Sequence, residues 1–154
     1  MAHINEFIDY TVEVFIVHKD KVLFRWHDKY NLWLSVGGHI ELDEDPNQAA
    51  IREVKEEVGL DVVLYDKLRP FVWEADNYKE LIPPYFMNIH KVSDTHRHVT
   101  LNYFATSNSD KVVENSHDKS GKWKWMTREE VEADLDIHEM KKTYALKALE
   151  ELSI

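Results

Sequence analysis

The 154-residue sequence contains no cysteine, and it has only four glycines and four prolines. Without cysteine, the chain can form neither disulfides nor thiolate metal sites, and it has no cysteine nucleophile. The glycines and prolines occur singly or in pairs, so no flexible or polyproline linker divides the chain. Residues 1–154 are therefore expected to form one domain.

A long apolar run is also missing, since no stretch approaches the roughly 18 residues of a membrane span. The opening segment, "MAHINEFIDY", has neither the basic nor the apolar region of a secretory signal. These features favour a cytoplasmic protein that does not enter membranes.

Positive charge is scarce: 19 Lys and Arg residues face 29 Asp and Glu residues, for a formal net charge of −10. Binding a DNA or RNA duplex through a basic surface would oppose that field, so we do not expect it. A small phosphorylated ligand remains compatible with the charge if metal ions bridge it to carboxylates. The apolar fraction of 44% is ample for a core.

What the chain does contain is a series of short β-branched segments around one strongly marked helix. Tyr10–His18 is predicted to be a strand, followed by a "KDK" turn, a second strand in "VLFRW", and a short strand ending at Gly37-Gly38. Later strands are expected in "DVVLYDKL", "PYFMNIHKV", "HVTLNYFAT" and "KWKWM", and helices in "TREEVEAD" and Ile137–Leu152. This order predicts an α/β fold with a mixed sheet.

The central helix, residues 46–58, has a complete set of end signals. Asp45 is a good N-cap, Pro46 suits the first turn, and Gln48 occupies the capping-box position. Gly59 suits the left-handed conformation that ends many helices. The boundaries of this helix are therefore predicted closely.

Three carboxylates crowd this helix, at Glu53, Glu56 and Glu57. Like charges at such spacing cost a few tenths of a kcal/mol per pair. They are expected beside the apolar stripe that faces the core, which consists of Ile51, Val54 and Val58. A glutamate-rich helix is commonly just a solvated face, but carboxylates beside a buried stripe also suit a cleft that holds cations.

The surrounding spacing decides between these interpretations. Gly38 is followed by five residues, then Glu44, then seven residues and "REVKEEVGL" over residues 52–60. This pattern resembles the Nudix box, G-x5-E-x7-R-E-U-x-E-E-x-G-U with U apolar, at every specified position. The resemblance implies the Nudix fold, with a mixed β-sheet sandwiched between helices. It also implies metal-dependent hydrolysis of a nucleoside diphosphate linked to a further moiety, X, by water attack at phosphorus.

The resemblance also assigns roles to individual residues. Glu53, Glu56 and Glu57 are implied as ligands of Mg²⁺ or Mn²⁺, together with a backbone carbonyl at Gly37 or Gly38. The cation would then explain why the carboxylates tolerate their mutual repulsion.

Two further residues of the box have supporting roles. Arg52 is implied as the residue that orients a box glutamate by ion pairing, and it could also pair with Glu56 four residues on. Glu44 is implied to support the junction between the loop and the helix.

The pattern departs from the family in two places. Val36 stands where many members have proline before the glycine pair, and Lys122 lies near the position where an acid is common. The general base therefore stays open between Glu53 and Glu114. Asp118 lies in the same polar loop as Glu114.

Substrate contacts are less clearly marked. His98 with His96 would share one strand face, and this strand resembles one that many Nudix proteins place beside the substrate. No third ligand is spaced in sequence to complete a transition-metal site, so we expect partly exposed histidines at the rim of the cleft. Tyr30 and Trp33 are the aromatic candidates for stacking on a base, although aromatic residues more often belong to the core.

The function predicted from the sequence is a Nudix diphosphohydrolase that acts on a small phosphorylated substrate, a nucleotide derivative. The alternative is a catalytically weak, nucleotide-sensing Nudix-like module, and the intact box argues against it. The sequence leaves open the identity of the substrate, the number of metal ions and a homodimeric state.

Overall fold

The computed structural model describes residues 3–114 and 122–154 of the chain. In chain order, the helices and strands of these two ranges are β1 (Ile8–His18), β2 (Lys21–His27), β3 (Leu32–Leu34), β4 (Val36–His39), α1 (Pro46–Val58), β5 (Val62–Leu64), β6 (Glu74–Ala75), β7 (Tyr78–Lys79), β8 (Phe86–Lys91), β9 (Arg97–Ser107), β10 (Trp123–Thr127), α2 (Arg128–Ala133) and α3 (Glu139–Leu152). None of the helices in this described part has the length and apolar content needed to cross a bilayer.

Eight strands form one sheet of mixed direction. Five of them follow one another in the order β10-β2-β1-β9-β5. The other three join members of this row: β3 pairs with β2, β4 with β1, and β8 with β9. The central pair, β1 and β9, is parallel over ten residues on each strand, from Ile8 beside Arg97 to Val17 beside Thr106. The mixed α/β architecture predicted from the sequence is confirmed.

Helices cover both faces of this sheet. Alternate residues of a strand point to opposite faces, and β1 supplies both cores. Val12 and Val14 belong to a buried cluster with residues of α1, whereas Phe15 and Val17 belong to a second cluster with residues of α3. The sheet therefore has an α1 side and an α3 side.

The predicted boundaries of α1 are confirmed. The Asp45 carboxylate accepts a hydrogen bond from the Gln48 amide at 2.9 Å, and the Gln48 side chain accepts one from the Asp45 amide at 2.9 Å. Gly59 ends the helix in the left-handed conformation, with φ of 68°.

The buried face of α1 differs from the prediction, because Ile51 is 46% exposed. Asn47 takes part in the buried face instead, together with Val54 and Val58. The Asn47 amide bonds both backbone groups of Ile82, at 2.9 and 2.8 Å, and this contact fixes the rotation of the helix against the sheet. A contact with a residue 35 positions away in the sequence thus sets which face of α1 is buried, and Ile51 lies outside that face.

Some strands are also divided differently. The short strand predicted to end at Gly37-Gly38 is two strands, β3 and β4, of which β4 ends one residue later at His39. The β5 strand covers only Val62–Leu64 of the predicted segment, and the two-residue strands β6 and β7 were not predicted. None of these differences alters the position of α1 beside β4.

Candidate active site

Arg52 is the centre of the polar network at the start of α1. Its Nε and Nη2 atoms donate to the Glu44 carboxylate at 2.9 and 2.6 Å, and Nη2 also donates to the His39 carbonyl at 3.0 Å. The hydrogen bond with Glu44, together with the negative charges of Glu53, Glu44 and Glu56, raises the pKa of the Arg52 guanidinium beyond its usual range. The hydrogen bond from Arg52 likewise lowers the pKa of Glu44. The guanidinium therefore joins the loop after β4 to the helix.

The same guanidinium brings two of the helix glutamates together. Nη1 of Arg52 donates to Glu53 Oε1 at 3.1 Å and to Glu56 Oε2 at 3.0 Å. Because both carboxylates contact one nitrogen, they lie on the same side of α1. The side chain of Glu56 is 53% exposed, so the Glu56 end of this group reaches the protein surface.

Glu53 is buried at the point where α1 crosses β4, with only 5% of the residue exposed. A Cβ atom on Gly38 would lie 2.3 Å from Glu53 Oε1, so only glycine leaves space there for the carboxylate. Burial raises the pKa of Glu53, and the charge of Arg52 opposes that effect. A glycine at residue 38 is therefore needed to leave room for the carboxylate of Glu53.

Glu57 lies further along the helix, near β2. Its Oε2 is 4.0 Å from Nη1 of Arg25, and both side chains are largely buried. Arg25 also stacks on the Trp123 ring, with its Cζ atom 5.9 Å from the ring centroid. Glu57 thus follows Glu53 by one helical turn and approaches the Arg25 guanidinium of β2.

Gly37 precedes this group in β4, where the strand lies very close to β1. A Cβ atom on Gly37 would lie 2.2 Å from the Val12 carbonyl oxygen, which no side chain could accommodate. Gly37 pairs in register with Glu13, and Glu13 forms an ion pair with Lys141 at the start of α3. The two glycines therefore allow the backbone to pass between β1 and α1.

Glu114 is brought near the C-terminal end of α1 by its neighbour in sequence. The Val113 amide donates to the Val58 carbonyl at 2.9 Å, and a Cβ atom on Gly59 would lie 3.0 Å from Val113. Glu114 follows this contact and is half-buried. Asp118 lies outside the described residues.

A cavity of about 400 Å³ opens on the α3 side of the sheet. Its lining is mainly apolar and comes from β3, β8 and α3, with Leu32, Leu34, Ile89, Met140, Lys141 and Tyr144 among its residues. Lys141 links this cavity to Gly37 through Glu13. The cavity therefore lies next to the glycine pair at which the glutamate group begins.

The two aromatic substrate candidates lie beside this cavity and are not among its lining residues. Tyr30 is exposed and stacks on His27, with ring centroids 4.7 Å apart. Trp33 lies between the two leucines of β3 and meets the edge of Trp26 at 5.3 Å. A role for either in substrate binding stays a prediction.

The position of His96, directly before β9, corrects one expectation. His96 is 3% exposed, so it is buried and does not lie at a cleft rim. Third and fourth ligands, which the sequence spacing did not indicate, come from His3 and Asp9, and all four ligand atoms lie within 4.8 Å of one another. No local signal marks His3 or Asp9, because only the parallel pairing of β1 with β9 brings them to His98 and His96.

Comparison with known proteins identifies the family of this chain. A family model described as the NUDIX domain matches residues 9–147. A solved structure of a hydrolase of the NUDIX family from Clostridium perfringens is 36% identical in sequence, with a TM-score of 0.82. That alignment covers 94% of this chain and 98% of the other.

More distant structures share the fold. An Ap4A hydrolase from C. elegans, solved as a binary complex, is 18% identical with a TM-score of 0.67, over 93% of this chain and 96% of its own. A MutT NUDIX hydrolase from Burkholderia pseudomallei is 17% identical with a TM-score of 0.63, over 96% of this chain and 100% of its own. At such identities the likeness extends to the fold alone.

Proposed function

The chain belongs to the Nudix family, and from this premise we propose that it cleaves the diphosphate linkage of a nucleoside diphosphate-X substrate with the help of Mg²⁺ or Mn²⁺. Pyrophosphate hydrolysis in general follows from the family, whereas the type of substrate and the metal requirement are our proposal. The observation that carries it is the contact of one Arg52 nitrogen with both Glu53 and Glu56.

The residues around α1 fit a hard divalent cation. Mg²⁺ prefers oxygen ligands and commonly uses one or two carboxylates together with water and substrate phosphate. Glu53, Glu56 and Glu57 supply such oxygens, and the space that Gly38 leaves for the Glu53 carboxylate supports a role for its backbone in the same site. We therefore assign the three glutamates, with a carbonyl of Gly37 or Gly38, as the metal ligands.

A divalent cation at this position would lower the pKa of the attacking water and neutralise charge on the phosphates. The protein's own residues prepare the site. Arg52 holds Glu53 and Glu56 in place and ties both to the loop through Glu44. Because the chain carries a net charge of −10, phosphate would be repelled from this face without cations to bridge it.

For the general base, Glu53 and Glu114 are the two candidates. Glu53 is buried against β4, and Glu114 is half-buried beside the end of α1. Either carboxylate could take the proton from the attacking water if the water lies within hydrogen-bond distance.

The cavity on the α3 side supports a nucleotide derivative as the substrate. Its leucines, Ile89 and Tyr144 offer apolar contacts for a base or for the X moiety, and Lys141 adds a positive charge at its edge. We propose that the diphosphate lies along the glycine pair, between this cavity and the glutamates.

The test is a hydrolysis screen of nucleoside triphosphates, ADP-ribose, other sugar nucleotides and dinucleoside polyphosphates, with Mg²⁺ and with Mn²⁺. Products would be identified by chromatography, and the attacked phosphorus by hydrolysis in ¹⁸O-labelled water. We expect at least one substrate to yield two phosphate-bearing products, with no turnover in EDTA. Nucleotide binding without hydrolysis of any compound would instead support the sensing module.

A further inference from the structure

The α3 side of the sheet carries a second group of metal-ligand side chains, which the proposed hydrolysis does not use. This histidine cluster consists of His3, Asp9, His96 and His98, with ligand atoms that lie within 4.8 Å of one another. Asp9 and His98 are direct partners across the β1–β9 pair, and His96 lies two residues earlier on the same face. The cluster is thus built on the most extensively paired part of the sheet.

The carboxylate of Asp9 is at the centre of the cluster and is completely buried. Its Oδ2 lies 3.3 Å from His3 Nδ1 and 3.4 Å from His96 Nε2, and it also accepts the Ile4 amide at 3.0 Å. His39 Nε2 is 3.1 Å from the same oxygen. A carboxylate oxygen has two lone pairs, so four nitrogens are more than it can satisfy by hydrogen bonds.

The orientation of the His96 ring favours a cation next to Asp9 Oδ2. Its Nδ1 lies 2.9 Å from the Glu6 carbonyl, which can only accept, so Nδ1 carries a proton. In the neutral ring the lone pair is then on Nε2, directed at Asp9 Oδ2. In that form two acceptors would face each other across 3.4 Å, and a cation between them would remove the repulsion. A histidine that donates its other ring nitrogen to a carbonyl is the usual arrangement of a metal ligand.

The imidazole of His98 offers an unused nitrogen to the cluster. Its Nε2 is buried and has no hydrogen-bond partner among the described residues. Zinc binds histidine through a ring nitrogen that carries a free lone pair, so this nitrogen is available as a ligand.

We propose that His3, Asp9, His96 and His98 bind one Zn²⁺ ion in a structural site. Zinc bonds of about 2.0–2.1 Å give a tetrahedron whose ligand atoms are about 3.3 Å apart. The distances from Asp9 Oδ2 to His3 Nδ1 and His96 Nε2, 3.3 and 3.4 Å, match that edge. Three imidazoles with one carboxylate favour zinc over Mg²⁺, which prefers oxygen ligands.

Four protein ligands leave no open position, so this ion would be structural. It would hold the N-terminal segment onto the sheet, because His3 comes from that segment and the other three ligands come from β1 and β9 or their ends. The segment already contacts the same strands, since the Asn5 amide donates to Asp9 and the Arg97 amide donates to the Phe7 carbonyl, at 2.6 and 2.8 Å. Zinc should therefore stabilise the fold when bound.

The test uses the full chain with no affinity tag, stripped of metal and then titrated with Co²⁺ in the presence of excess Mg²⁺. Cobalt in a tetrahedral site of imidazole and carboxylate ligands absorbs visible light strongly, whereas cobalt in an octahedral oxygen site does not. We expect one equivalent to bind with the intense spectrum, Zn²⁺ to displace it, and zinc to raise the Tm.

The variants show which residues bind the ion. His3→Gln removes a ligand whose side chain is 43% exposed, so the variant should fold normally and lose affinity at least about 10-fold. His96→Gln and His98→Gln should lose the cobalt spectrum. Glu57→Gln and the distant His27→Gln should bind as the unaltered protein does.

Several results would overturn the proposal. Stoichiometric binding that persists in both His3→Gln and His98→Gln would mean that the ion lies elsewhere. Loss of the spectrum in Glu57→Gln would place it at the α1 glutamates. A protein that binds no Co²⁺ or Zn²⁺ would leave Asp9 as a carboxylate that pairs only with protonated histidine.

Discussion

The two faces of the sheet hold their carboxylates by different means. On the α1 side, one guanidinium contacts Glu44, Glu53 and Glu56, and the group reaches the surface. On the α3 side, Asp9 is completely buried and is surrounded by imidazoles and backbone amides. The first group suits ions that exchange with substrate, because its ligands are hard oxygens with one exposed member. The second suits an ion that remains bound, because it offers a closed set of mixed ligands.

Glu57→Gln should give the largest difference in effect between the α1 side and the histidine cluster. It keeps the size of the side chain and removes a charge that we assign to Mg²⁺ binding. We expect kcat/KM to fall by about 100- to 1,000-fold, because a preorganised electrostatic contact at a reacting phosphate is lost. Thermal stability without metal should stay level or rise slightly, since one of several crowded like charges is removed.

Glu41→Gln is the matched control for Glu57→Gln, because it removes a charge from the same acidic stretch at an exposed position that the box does not specify. Equal activity in the two variants would contradict the assignment of Glu57. An unfolded Glu57→Gln protein would show that this residue is structural.

Gly38→Ala tests whether the space beside Glu53 is needed for activity. The new Cβ would lie within 2.8 Å of all three carboxylate atoms, so the carboxylate must move while the backbone stays in place. A displacement of about 1 Å at a catalytic group can cost about 100-fold in rate, and we expect a loss of about 10- to 100-fold. Steady-state kinetics with Mg²⁺ would measure it.

The control for this substitution is a double-mutant cycle with Glu53→Ala. If the loss comes from moving Glu53, then Gly38→Ala should have little further effect once the carboxylate is absent. Equal losses in both backgrounds would show that the loop itself, rather than Glu53, is disturbed.

Arg52→Lys should weaken the α1 side most directly. A lysine keeps the charge and cannot bridge Glu44, Glu53 and Glu56 at once. We expect the free energy of unfolding, measured by urea titration without metal, to fall by about 2 kcal/mol. Arg128→Lys, at an exposed pair with Glu132, is the control and should change it by less than about 0.5 kcal/mol. Cobalt binding at the histidine cluster, measured in Arg52→Lys, would show how strongly the two faces are coupled.

Tyr65→Phe tests a reference carboxylate, Glu151 of α3, which belongs neither to the Arg52 network nor to the histidine cluster. The Tyr65 hydroxyl donates to Glu151 at 2.7 Å, and this hydrogen bond lowers the pKa of Glu151 below its ordinary value of 4.5. A lowered pKa in the folded state stabilises the protein above pH 4.5, and that contribution disappears as the pH falls through the folded value. The stability difference between Tyr65→Phe and the unaltered protein should therefore be larger at pH 7 than at pH 3.5.

Urea titrations at the two pH values would measure this difference, which should be the smallest of the four effects. Tyr78→Phe, which removes an exposed hydroxyl near Glu80, should show no such dependence. A difference that is equal at both pH values would exclude the bond to Glu151 as its cause.

The α1 side could be predicted from the sequence because its information is local. The N-cap at Asp45, the capping box at Gln48 and the glycine at residue 59 set the helix ends, and the spacing from Gly38 to Leu60 lies within one short segment. The face of the helix was predicted less well. Ile51 is exposed because Asn47 bonds the backbone of Ile82, and no periodicity within the helix indicates that partner.

The histidine cluster could not be predicted, since its ligands are distant in sequence. The shared face of His96 and His98 was visible in the alternation of one strand. Asp9 joins them only because β1 pairs with β9 in parallel, 89 residues apart, and the same residue types would be separate in any other strand order. Strand order depends on the whole core.

His39 contacts both the histidine cluster and the polar network around Arg52. Its ring lies 3.1 Å from Asp9 Oδ2, and its carbonyl accepts the Arg52 guanidinium at 3.0 Å. His39 therefore provides a direct path by which a shift of β4 on ion binding at one side would reach the other. By thermodynamic reciprocity, the factor by which zinc alters the affinity for Mg²⁺ equals the factor by which Mg²⁺ alters the affinity for zinc. Through His39, the amount of zinc available to the protein would then influence how tightly the enzyme binds Mg²⁺.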